Sequence, residues 1–554
     1  MTNFFILFLF YLLIIFSIIG YGNIFSLISS RTFSIGEKGL NGILFLIIIS
    51  YITNFFTPHS IYHNLIVISI GLFAFVTQFI KKLKNNIKEL KVVFLVFLIL
   101  FIGLLMHKNH DDFFYYHFSY TLSIIEYKKI IGLGMLNHGF RTPSSIFYLN
   151  SLFYLPFIKY FLINSGVVFV MGFSNLVFLD KIFNQLKNKT NFFVLFLIVF
   201  SFVYINVAFY RIAEHGTDKS ALILIFLLVI TYFESLSTLK KKITYNSSII
   251  YYEKIIVLLL LTISLKSFYL IYITLFLLWL YQFRSFIFYE KKIFKVLTNK
   301  FTFLFVLGVS LFVIHVFLNT SCLVYPASFT CFENFQWSIP INKVEQMKSW
   351  YSLWSKGGAN PTFRVENPTI YLANFNWVPR WFSDYFFTKI SDTILIIFLV
   401  SLICSLLLKG KEKNKNYFFD KNYIPLILIL SFLFLIWFVN HPALRYGGYA
   451  FFGLMFFIPI SNFLAKKFYS KKRLKKRINI LIIVAFSIFV IKNITRLQYE
   501  NDKYQYDLFI NPYFNLDEKN FNFQKILSEL NYEYRKDHDS YYLILNYKII
   551  KDID

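Results

Sequence analysis

Two adjacent aspartates, Asp111 and Asp112, lie just beyond an apolar run that is long enough to cross a membrane, Val92 to Met106. Carboxylates are costly to keep beside a bilayer, so their presence there indicates a site. One ionised carboxylate could deprotonate an acceptor hydroxyl while its neighbour orients a sugar or binds a cation, so both are candidate catalytic residues. The flanking His110 and His117 could contact substrate as acid-base or phosphate-binding groups. The alternative is a solvated helix start, because helix N-termini favour aspartate.

A short turn between two apolar runs, residues 211–219, is dense in titratable groups. Five of its nine residues are Arg, Glu, His, Asp or Lys. This density exceeds what a helical hairpin needs and predicts a substrate-binding loop, with a solvated salt-bridged turn as the alternative. The residues assigned to substrate binding here are Arg211, Glu214, His215 and Asp218.

Two further cationic positions suit a phosphate group. Lys266 is the only charge inside the long apolar block that ends at residue 283, and its ammonium could hold a polyprenyl phosphate or simply snorkel to water. Arg445 shares another short turn with His441, and a guanidinium is a fixed bidentate donor for phosphate, which lysine is not. The aspartate pair and Arg445 together would supply a general base and a phosphate clamp.

The composition places these residues in a polytopic membrane protein. Of the 554 residues, 57% are hydrophobic and 21% are aromatic, which no soluble domain with a solvated surface approaches. The net charge of +27 comes from Lys and Arg blocks between apolar runs, a pattern of membrane topology rather than of nucleic-acid binding. Runs of roughly 17 to 21 apolar residues predict about 12 to 14 spanning helices. They lie near 4–20, 41–57, 61–80, 92–107, 163–183, 191–209, 219–236, 254–283 (two short helices), 301–319, 392–408, 422–440, 446–464 and 479–495.

The basic blocks all fall on one side of these spans, and the positive-inside rule makes that side cytoplasmic. The loops that carry the candidate residues therefore face outward. Residues 1–495 form the predicted transmembrane domain, with large outer loops at 108–162 and 320–391. Residues 496–554 form a small extracytoplasmic α/β tail, with an amphipathic helix near Phe521–Leu530 and a strand-like Tyr541–Tyr547.

The first outer loop, 108–162, predicts two helices that lie in the membrane interface. Its apolar residues recur at helical spacing and leave a polar face between them. Arg141 lies in this loop and is a candidate substrate contact. The residues that set the spacing are Phe113, Tyr116, Tyr120 and Ile124, followed by Ile146, Leu149, Phe153 and Phe157.

The second outer loop, 320–391, is rich in proline and glycine and holds five tryptophans, which suits a cap of loops and short helices over the site. Cys322 and Cys331 share this loop, and an oxidising compartment permits a disulfide that would hold Tyr325 near the site. Arg380 is the further candidate contact here. No CxxC, HExxH, P-loop or GxGxxG pattern is present, so no cofactor is predicted; a divalent cation near Asp111 and Asp112 is the alternative.

This arrangement resembles the membrane glycosyltransferases of the glycosyltransferase C (GT-C) fold. The shared features are an acidic pair in the first large outer loop, two interfacial helices, alternating spans and a Pro-x-x-Arg-Tyr turn at Pro442, Arg445 and Tyr446. The resemblance implies that Asp111 or Asp112 corresponds to the acidic catalytic motif of that family and that Arg445 contacts the donor phosphate. About three extra N-terminal spans leave the choice between the aspartates open. A Trp-Trp-Asp motif is missing, so transfer to protein is not expected.

A narrower resemblance covers most of residues 90–460. The segments that carry it are Glu214-His215-Gly216-Thr217-Asp218, the loop from Ser321 through Pro326 to Cys331, and Phe375-Asn376-Trp377. They are similar to an uncharacterised family of bacterial membrane proteins found in lipopolysaccharide and capsule gene clusters. This resemblance implies a multi-pass protein of the bacterial inner membrane whose active face is extracytoplasmic.

Three functions fit these features. The first is transfer of one sugar from a polyprenyl-phosphate carrier to a lipid-linked glycan or lipid acceptor, since aromatic rings stack on sugars, Arg and Lys hold phosphate and a carboxylate removes a proton. The second is an O-antigen polymerase or ligase centred on Arg364 and Arg380. The third is a transporter or flippase for lipid-linked sugars, although such proteins place their polar residues near the bilayer midplane.

Overall fold

The computed structural model describes residues 2–81, 83–106, 112–187, 191–213, 216–238, 245–284, 293–360, 362–411, 417 and 419–504. Within these ranges the chain is helical and forms no strand. His110, Asp111, Glu214 and His215, and the tail residues predicted as a helix and a strand, lie outside the described residues. The helices are α1 (Thr2–Ser29), α2 (Ile35–Asn54), α3 (Ile61–Lys81), α4 (Leu83–Leu104), α5 (Ser119–Glu126), α6 (Ser145–Ser151), α7 (Gly166–Lys187), α8 (Phe192–Ala208), α9 (Thr217–Thr238), α10 (Tyr245–Leu265), α11 (Ile273–Gln282), α12 (Ile293–Leu297), α13 (Lys300–Thr320), α14 (Ile341–Lys356), α15 (Pro368–Leu372), α16 (Val378–Trp381), α17 (Ser391–Leu407), α18 (Ile424–Asn440), α19 (Gly448–Ala465) and α20 (Lys471–Tyr504).

Ten helices in the described ranges are long and apolar enough to cross a membrane, and the predicted class of polytopic all-helical membrane protein is confirmed at that level. Two shorter apolar stretches, Phe192–Ala208 and Ser267–Gln282, accompany them. Every run predicted as a span is helical. The last helix, α20, runs on to Tyr504, beyond the position at which the predicted tail begins.

Ion pairs show which helix ends meet. At one end, Arg31 after α1 binds Glu253 of α10, and Lys181 of α7 binds Glu234 of α9. Lys300, which begins α13, donates there to the Ile28 carbonyl. We call this the basic end, because the helices that begin or end here carry the lysine blocks of the sequence. Consecutive long helices alternate in direction, as predicted.

The opposite end carries the two large loops, and we call it the loop end. Lys129, after α5, donates through Nζ to Asn319 Oδ1 at the end of α13. The Asn54 side chain at the end of α2 donates to the Tyr127 carbonyl. Whether the loop end faces the extracytoplasmic side stays a prediction.

Helix α9 lies at the centre of the bundle, because 94% of its most apolar stretch is buried. Helix α3 lies at the periphery, since only 22% of its stretch is buried. The buried packing of α9 involves large side chains such as Phe226, which contacts Tyr204 of α8 and Phe457 of α19. The first turn of α9 is therefore held in place by the middle of the molecule.

The first large loop folds into the protein interior. A π-helical turn at Phe113–Phe118 leads into α5, and α6 follows after two 3-10 turns. Helices are present where the spacing predicted them, but they do not have the exposed polar face of an interfacial helix. In α5, Leu122, Ile124 and Ile125 are all buried, because α5 packs against α6 and α6 packs against α2. The polar residues Ser119, Thr121 and Ser123 of α5 are buried as well, so protein surrounds this helix on all faces.

The second large loop folds into a hairpin, the four-turn helix α14 and several short helical turns. The sulfurs of Cys322 and Cys331 are bonded across the hairpin. Trp377 and Trp381 are buried, and the Trp381 indole donates to the Pro442 carbonyl in the turn that also holds Arg445. The loop thus packs directly on one of the predicted site turns.

Candidate functional site

Three charged residues from separate parts of the chain meet at the loop end. Asp218 accepts from both cations: its Oδ1 lies 2.9 Å from Lys266 Nζ, and its Oδ2 lies 3.0 Å from Arg445 Nε. The sequence separates Asp218 from Lys266 by one long helical hairpin and from Arg445 by most of the second half of the chain. Charge-assisted hydrogen bonds of this length are strong, so the carboxylate fixes both cations in one place.

Each of these residues is positioned by a helix end. Asp218 lies in the first turn of α9, where a carboxylate also complements the helix dipole. Lys266 follows the last residue of α10 in an extended conformation, with φ −165° and ψ 138°. Arg445 lies in a 3-10 turn between α18 and α19 that ends at Gly447, whose φ of +112° favours glycine.

The turn that holds Arg445 is tied down on several sides. The Tyr269 hydroxyl donates to the Arg445 carbonyl at 3.0 Å, and the Leu444 amide donates to the Tyr385 hydroxyl at 2.9 Å. The Trp437 indole donates to the Ala443 carbonyl at 2.9 Å. A guanidinium on so constrained a backbone is preorganised for a ligand.

Asp112 joins the group through Arg445. Its Oδ2 lies 3.7 Å from Arg445 Nη2, and its side chain is 29% exposed. It precedes the π-helical turn Phe113–Phe118, a type of irregularity that is frequent at functional sites. Asp112, Asp218, Lys266 and Arg445 are called the charge cluster below. All four were predicted from the sequence as site residues, and the structure brings them together.

Aromatic rings form a wall around the charge cluster. The Lys266 ammonium lies 4.6 Å from the centre of the Tyr446 ring, and the Arg445 guanidinium carbon lies 5.3 Å from that of Trp354. The Trp354 and Tyr446 rings pack edge to face at 6.1 Å. Cations over aromatic faces gain electrostatic stabilisation, and the same faces can stack on a sugar ring.

Of the four predicted histidines, His117 and His441 are within the described residues, and both lie next to the charge cluster. His441 packs against Phe268 and Tyr446, and burial together with the positive charges of Lys356 and Lys266 lowers its pKa to about 4. It is therefore neutral at neutral pH. His117 packs against Tyr116 and Phe147 and acts electrostatically on Asp218. It also lines a small pocket with Thr121, Asn150, Asn164 and Gly216.

Arg141 and Tyr325 form a link between the two large loops. Arg141 is 3% exposed and donates through Nε to the Gly134 carbonyl and through Nη1 to the Tyr325 hydroxyl, at 2.9 and 3.2 Å. Tyr325 lies in the disulfide hairpin and is fully buried. Tyr325 thus contacts Arg141, another of the residues predicted to bind substrate.

Arg211 and Arg380 make local contacts. Arg211 is exposed, and its Nε donates to the hydroxyl of the preceding residue, Tyr210. Arg380 pairs with Asp384 one turn later and lies over the Phe363 ring. Arg364, named for the polymerase alternative, donates to the neighbouring Phe363 carbonyl. These contacts give no support to a separate arginine-centred site in the second loop.

A metal site has no support among the described residues, where no three His, Cys, Asp or Glu side chains are grouped to hold an ion. Asp111 lies outside the described residues, so a divalent cation beside Asp111 and Asp112 stays a prediction. The aromatic wall was predicted only in outline: the second outer loop with its five tryptophans was expected to cap the site, but neither Trp354 nor Tyr446 was assigned a role. Tyr446 belongs to the Pro-x-x-Arg-Tyr turn and could have been included, whereas nothing near Trp354 in the sequence links it to Arg445.

The fold and site define a polytopic helical membrane protein with a preorganised group of charges at the loop end. The profile of one family, described as a domain of unknown function (DUF8201), matches residues 3–452, and the chain belongs to this family. The match includes the whole charge cluster, from Asp112 to Arg445. No curated protein and no solved structure matches the chain.

Proposed function

We propose that this protein is a membrane glycosyltransferase that transfers one sugar from a polyprenyl-phosphate carrier to a lipid-linked glycan or lipid acceptor. The observation that supports the proposal is the charge cluster itself: two fixed cations, two carboxylates and an aromatic wall converge where long apolar helices end. Partly buried ion pairs contribute little net stability, so stability alone is a weak reason for this arrangement.

The cations bind the phosphate of the donor. Arg445 offers a planar fork of donors and Lys266 a mobile point charge, which together suit a phosphate whose negative charge grows as the glycosidic bond breaks. Asp218 accepts from each cation through a different carboxylate oxygen and so fixes both cations in position for the phosphate. In this role Asp218 is a positioning residue.

Asp112 acts as the general base. The acceptor hydroxyl oxygen attacks the anomeric carbon, the bond from that carbon to the phosphate oxygen breaks, and the phosphate leaves with the electron pair. The hydroxyl proton passes to the Asp112 carboxylate. Because attack and departure occur on opposite faces, the anomeric configuration inverts. The exposed fraction of the Asp112 side chain, 29%, leaves room for an acceptor to reach it.

The aromatic wall binds the sugar. The Arg445 guanidinium carbon lies 5.3 Å from the centre of the Trp354 ring and 5.8 Å from that of the Tyr446 ring, so both ring faces adjoin the phosphate-binding cations. Stacking of the apolar face of a pyranose on such rings orients the anomeric carbon toward Asp112. The partly buried, neutral His441 packs against Tyr446 and supports this wall.

The test is complementation of a strain that lacks the gene, followed by mass spectrometry of its surface glycolipids. We expect a deficit of one sugar in the deletion strain, restored by the wild-type chain and not by Asp112→Asn. Arg380→Gln changes an exposed arginine that pairs with Asp384, one helical turn later. It is the matched control and should restore the sugar. Full restoration by Asp112→Asn would refute the assignment of the base.

The same experiment separates the alternatives. Loss of all long chains with intact short units would favour a polymerase, and retention of a complete lipid-linked intermediate on the inner leaflet would favour a transporter. A glycolipid profile identical to that of the parent strain would contradict all three functions.

A further inference from the structure

One face of α13 is exposed along most of its length. Phe303, Val306 and Ile314 are 70%, 57% and 43% exposed and recur at helical spacing. Their side chains are large and apolar, so this stripe suits lipid rather than water. With 21 residues, α13 is about 31 Å long at 1.5 Å per residue, close to the thickness of the hydrocarbon core of a bilayer.

The stripe continues into aromatic residues beyond the end of the helix. Phe317, in the last turn of α13, packs against Phe332, Phe335 and Trp337 at ring distances of 6.0, 5.4 and 6.2 Å. Phe332 and Phe335 are themselves 47% and 39% exposed. The apolar surface of α13 therefore meets these exposed rings, and the exposed polar residues Glu333, Asn334 and Gln336 lie between and beside them.

The hairpin 321–332 that carries these rings has a fixed shape. The Cys322–Cys331 disulfide crosses it, the Leu323 amide donates to the Thr330 carbonyl, and the Phe332 amide donates to the Ser321 carbonyl. At its tip, a 3-10 turn holds Phe329 with 91% of the residue exposed. The backbone bonds hold this ring outward. Phe329, Phe332 and Phe335 are all exposed within seven residues, and several exposed apolar residues close together, unlike a single one, indicate a contact with membrane or protein.

We propose that the hairpin is a lipid anchor that inserts Phe329, with Phe332 and Phe335 beside it, into the leaflet at the loop end. Because α13 is about as long as the hydrocarbon core is thick, the hairpin begins at the level of the headgroups, where aromatic residues are enriched. The hairpin therefore contacts lipid at the boundary between headgroups and acyl chains. This proposal concerns the membrane and stands whether or not the protein transfers a sugar.

The anchor is connected to the charge cluster through a chain of side-chain contacts. Tyr325 lies in the hairpin and accepts from Arg141, and Tyr351 of α14 packs against the buried cluster to which Tyr325 belongs. One turn after Tyr351, Trp354 lies over Arg445. A hairpin lodged in the leaflet would therefore hold the site at a constant depth relative to the lipid surface.

The test is photo-crosslinking in the full-length protein. Phe329 is replaced by p-benzoylphenylalanine, and the protein is placed in nanodiscs of phosphatidylcholine and phosphatidylglycerol. Two matched positions are labelled in the same way: Phe303, exposed in the first turn of α13, as a lipid-facing reference, and Gln346, exposed on α14, as a water-facing reference. Retention of the disulfide on a non-reducing gel checks the fold of each variant.

We expect lipid adducts at positions 303 and 329 in several-fold excess over position 346. Labelling at 329 no higher than at 346, while 303 is labelled, would overturn the proposal. Crosslinked dimers from position 329 instead of lipid adducts would assign the surface to a second copy of the chain and would also overturn it.

Discussion

The molecule holds two groups of ion pairs, one at each end of its helices, and they are built differently. At the basic end each acid meets its own base: Glu253 binds Arg31 through two 2.9 Å contacts, Lys254 binds Glu37, and Lys181 binds Glu234. Glu253 is 3% exposed, and the Lys181 and Glu234 side chains are each 9% exposed. Arg31 and Lys254 are 35% and 27% exposed, so the two ends differ in how the charges are paired rather than in exposure alone.

At the loop end the partners are shared. Asp218 serves two cations, Arg445 contacts two carboxylates, and the four side chains are 15% to 30% exposed. Aromatic rings stand beside the cations, whereas the basic-end pairs connect helix to helix directly. The difference indicates that one-to-one pairs fix the packing of helices, while a group of charges that share partners and lie beside aromatic rings is arranged for a ligand.

The largest expected effect is at the loop end. Arg445→Lys keeps the positive charge but loses the planar fork, so phosphate binding in the transition state should weaken. We expect sugar transfer to fall on the order of 100-fold, typical for loss of one preorganised donor. The unfolding temperature in detergent should change little, because Arg445 is 30% exposed and the fold is packed elsewhere.

The control for this substitution is Arg380→Lys, an exposed arginine that pairs with Asp384. It should leave both transfer and unfolding temperature at the wild-type level. If Arg445→Lys lowered the unfolding temperature strongly and transfer only in proportion, the charge cluster would be a structural element like the basic end, and the contrast between the two ends would be lost.

The second-largest expected effect is a loss of stability at the basic end. Glu234→Gln leaves Lys181 buried without its carboxylate, which typically costs about 3–5 kcal/mol. We expect a lower yield and a lower unfolding temperature, with unchanged transfer per folded molecule. Equilibrium unfolding in detergent measures the loss.

The double variant Lys181→Met/Glu234→Gln sharpens this result. Removal of both charges should recover most of the lost stability, because the uncompensated charge is then gone. A double variant as unstable as Glu234→Gln alone would show that the pair has a role beyond charge neutralisation.

Much of this arrangement could be predicted from sequence because it depends on local pattern. Apolar runs gave the spans, and the lysine blocks between them placed Asp112, Asp218, Lys266 and Arg445 at one end. The sequence paired only the aspartates with Arg445, so the contact of Asp218 with both Lys266 and Arg445 was not predicted. What could not be predicted depends on packing: Trp354 reaches Arg445 only because α14 folds back over the turn after α18.

The first large loop shows the limit of periodicity. Spacing of residues such as Tyr120 and Ile124 predicted an interfacial helix, but Tyr120 hydrogen-bonds to Tyr148 and Asn319 in the interior, and Ile124 is 2% exposed. A buried helix with hydrogen-bonded polar groups has the same sequence pattern as one at an interface. Only the partners distinguish the two.

The smallest effect that we predict is on pH dependence, and it belongs to the loop end. Burial and the nearby Lys356 and Lys266 charges lower the His441 pKa to about 4, against about 6.5 in an unfolded chain. Between these values the unfolded state binds more protons at this position, so stability rises with pH across this window. Lowering the pH from about 6.5 toward 4 should therefore lower the unfolding temperature, and His441→Gln should reduce that dependence.

A second histidine provides the comparison within the same end. Burial and the neighbouring Arg141 lower the pKa of His138 to about 4. His138→Gln should therefore also reduce the loss of stability at low pH. Its ring packs against Trp350 rather than against Tyr446, so only His441→Gln should also disturb the aromatic wall. Unfolding temperatures at pH 5 and pH 7 for the wild type and both variants decide the matter. If the wild type and His441→Gln lost equal stability at pH 5, protonation of His441 would not oppose folding, and the acid sensitivity of this end would have to come from its carboxylates.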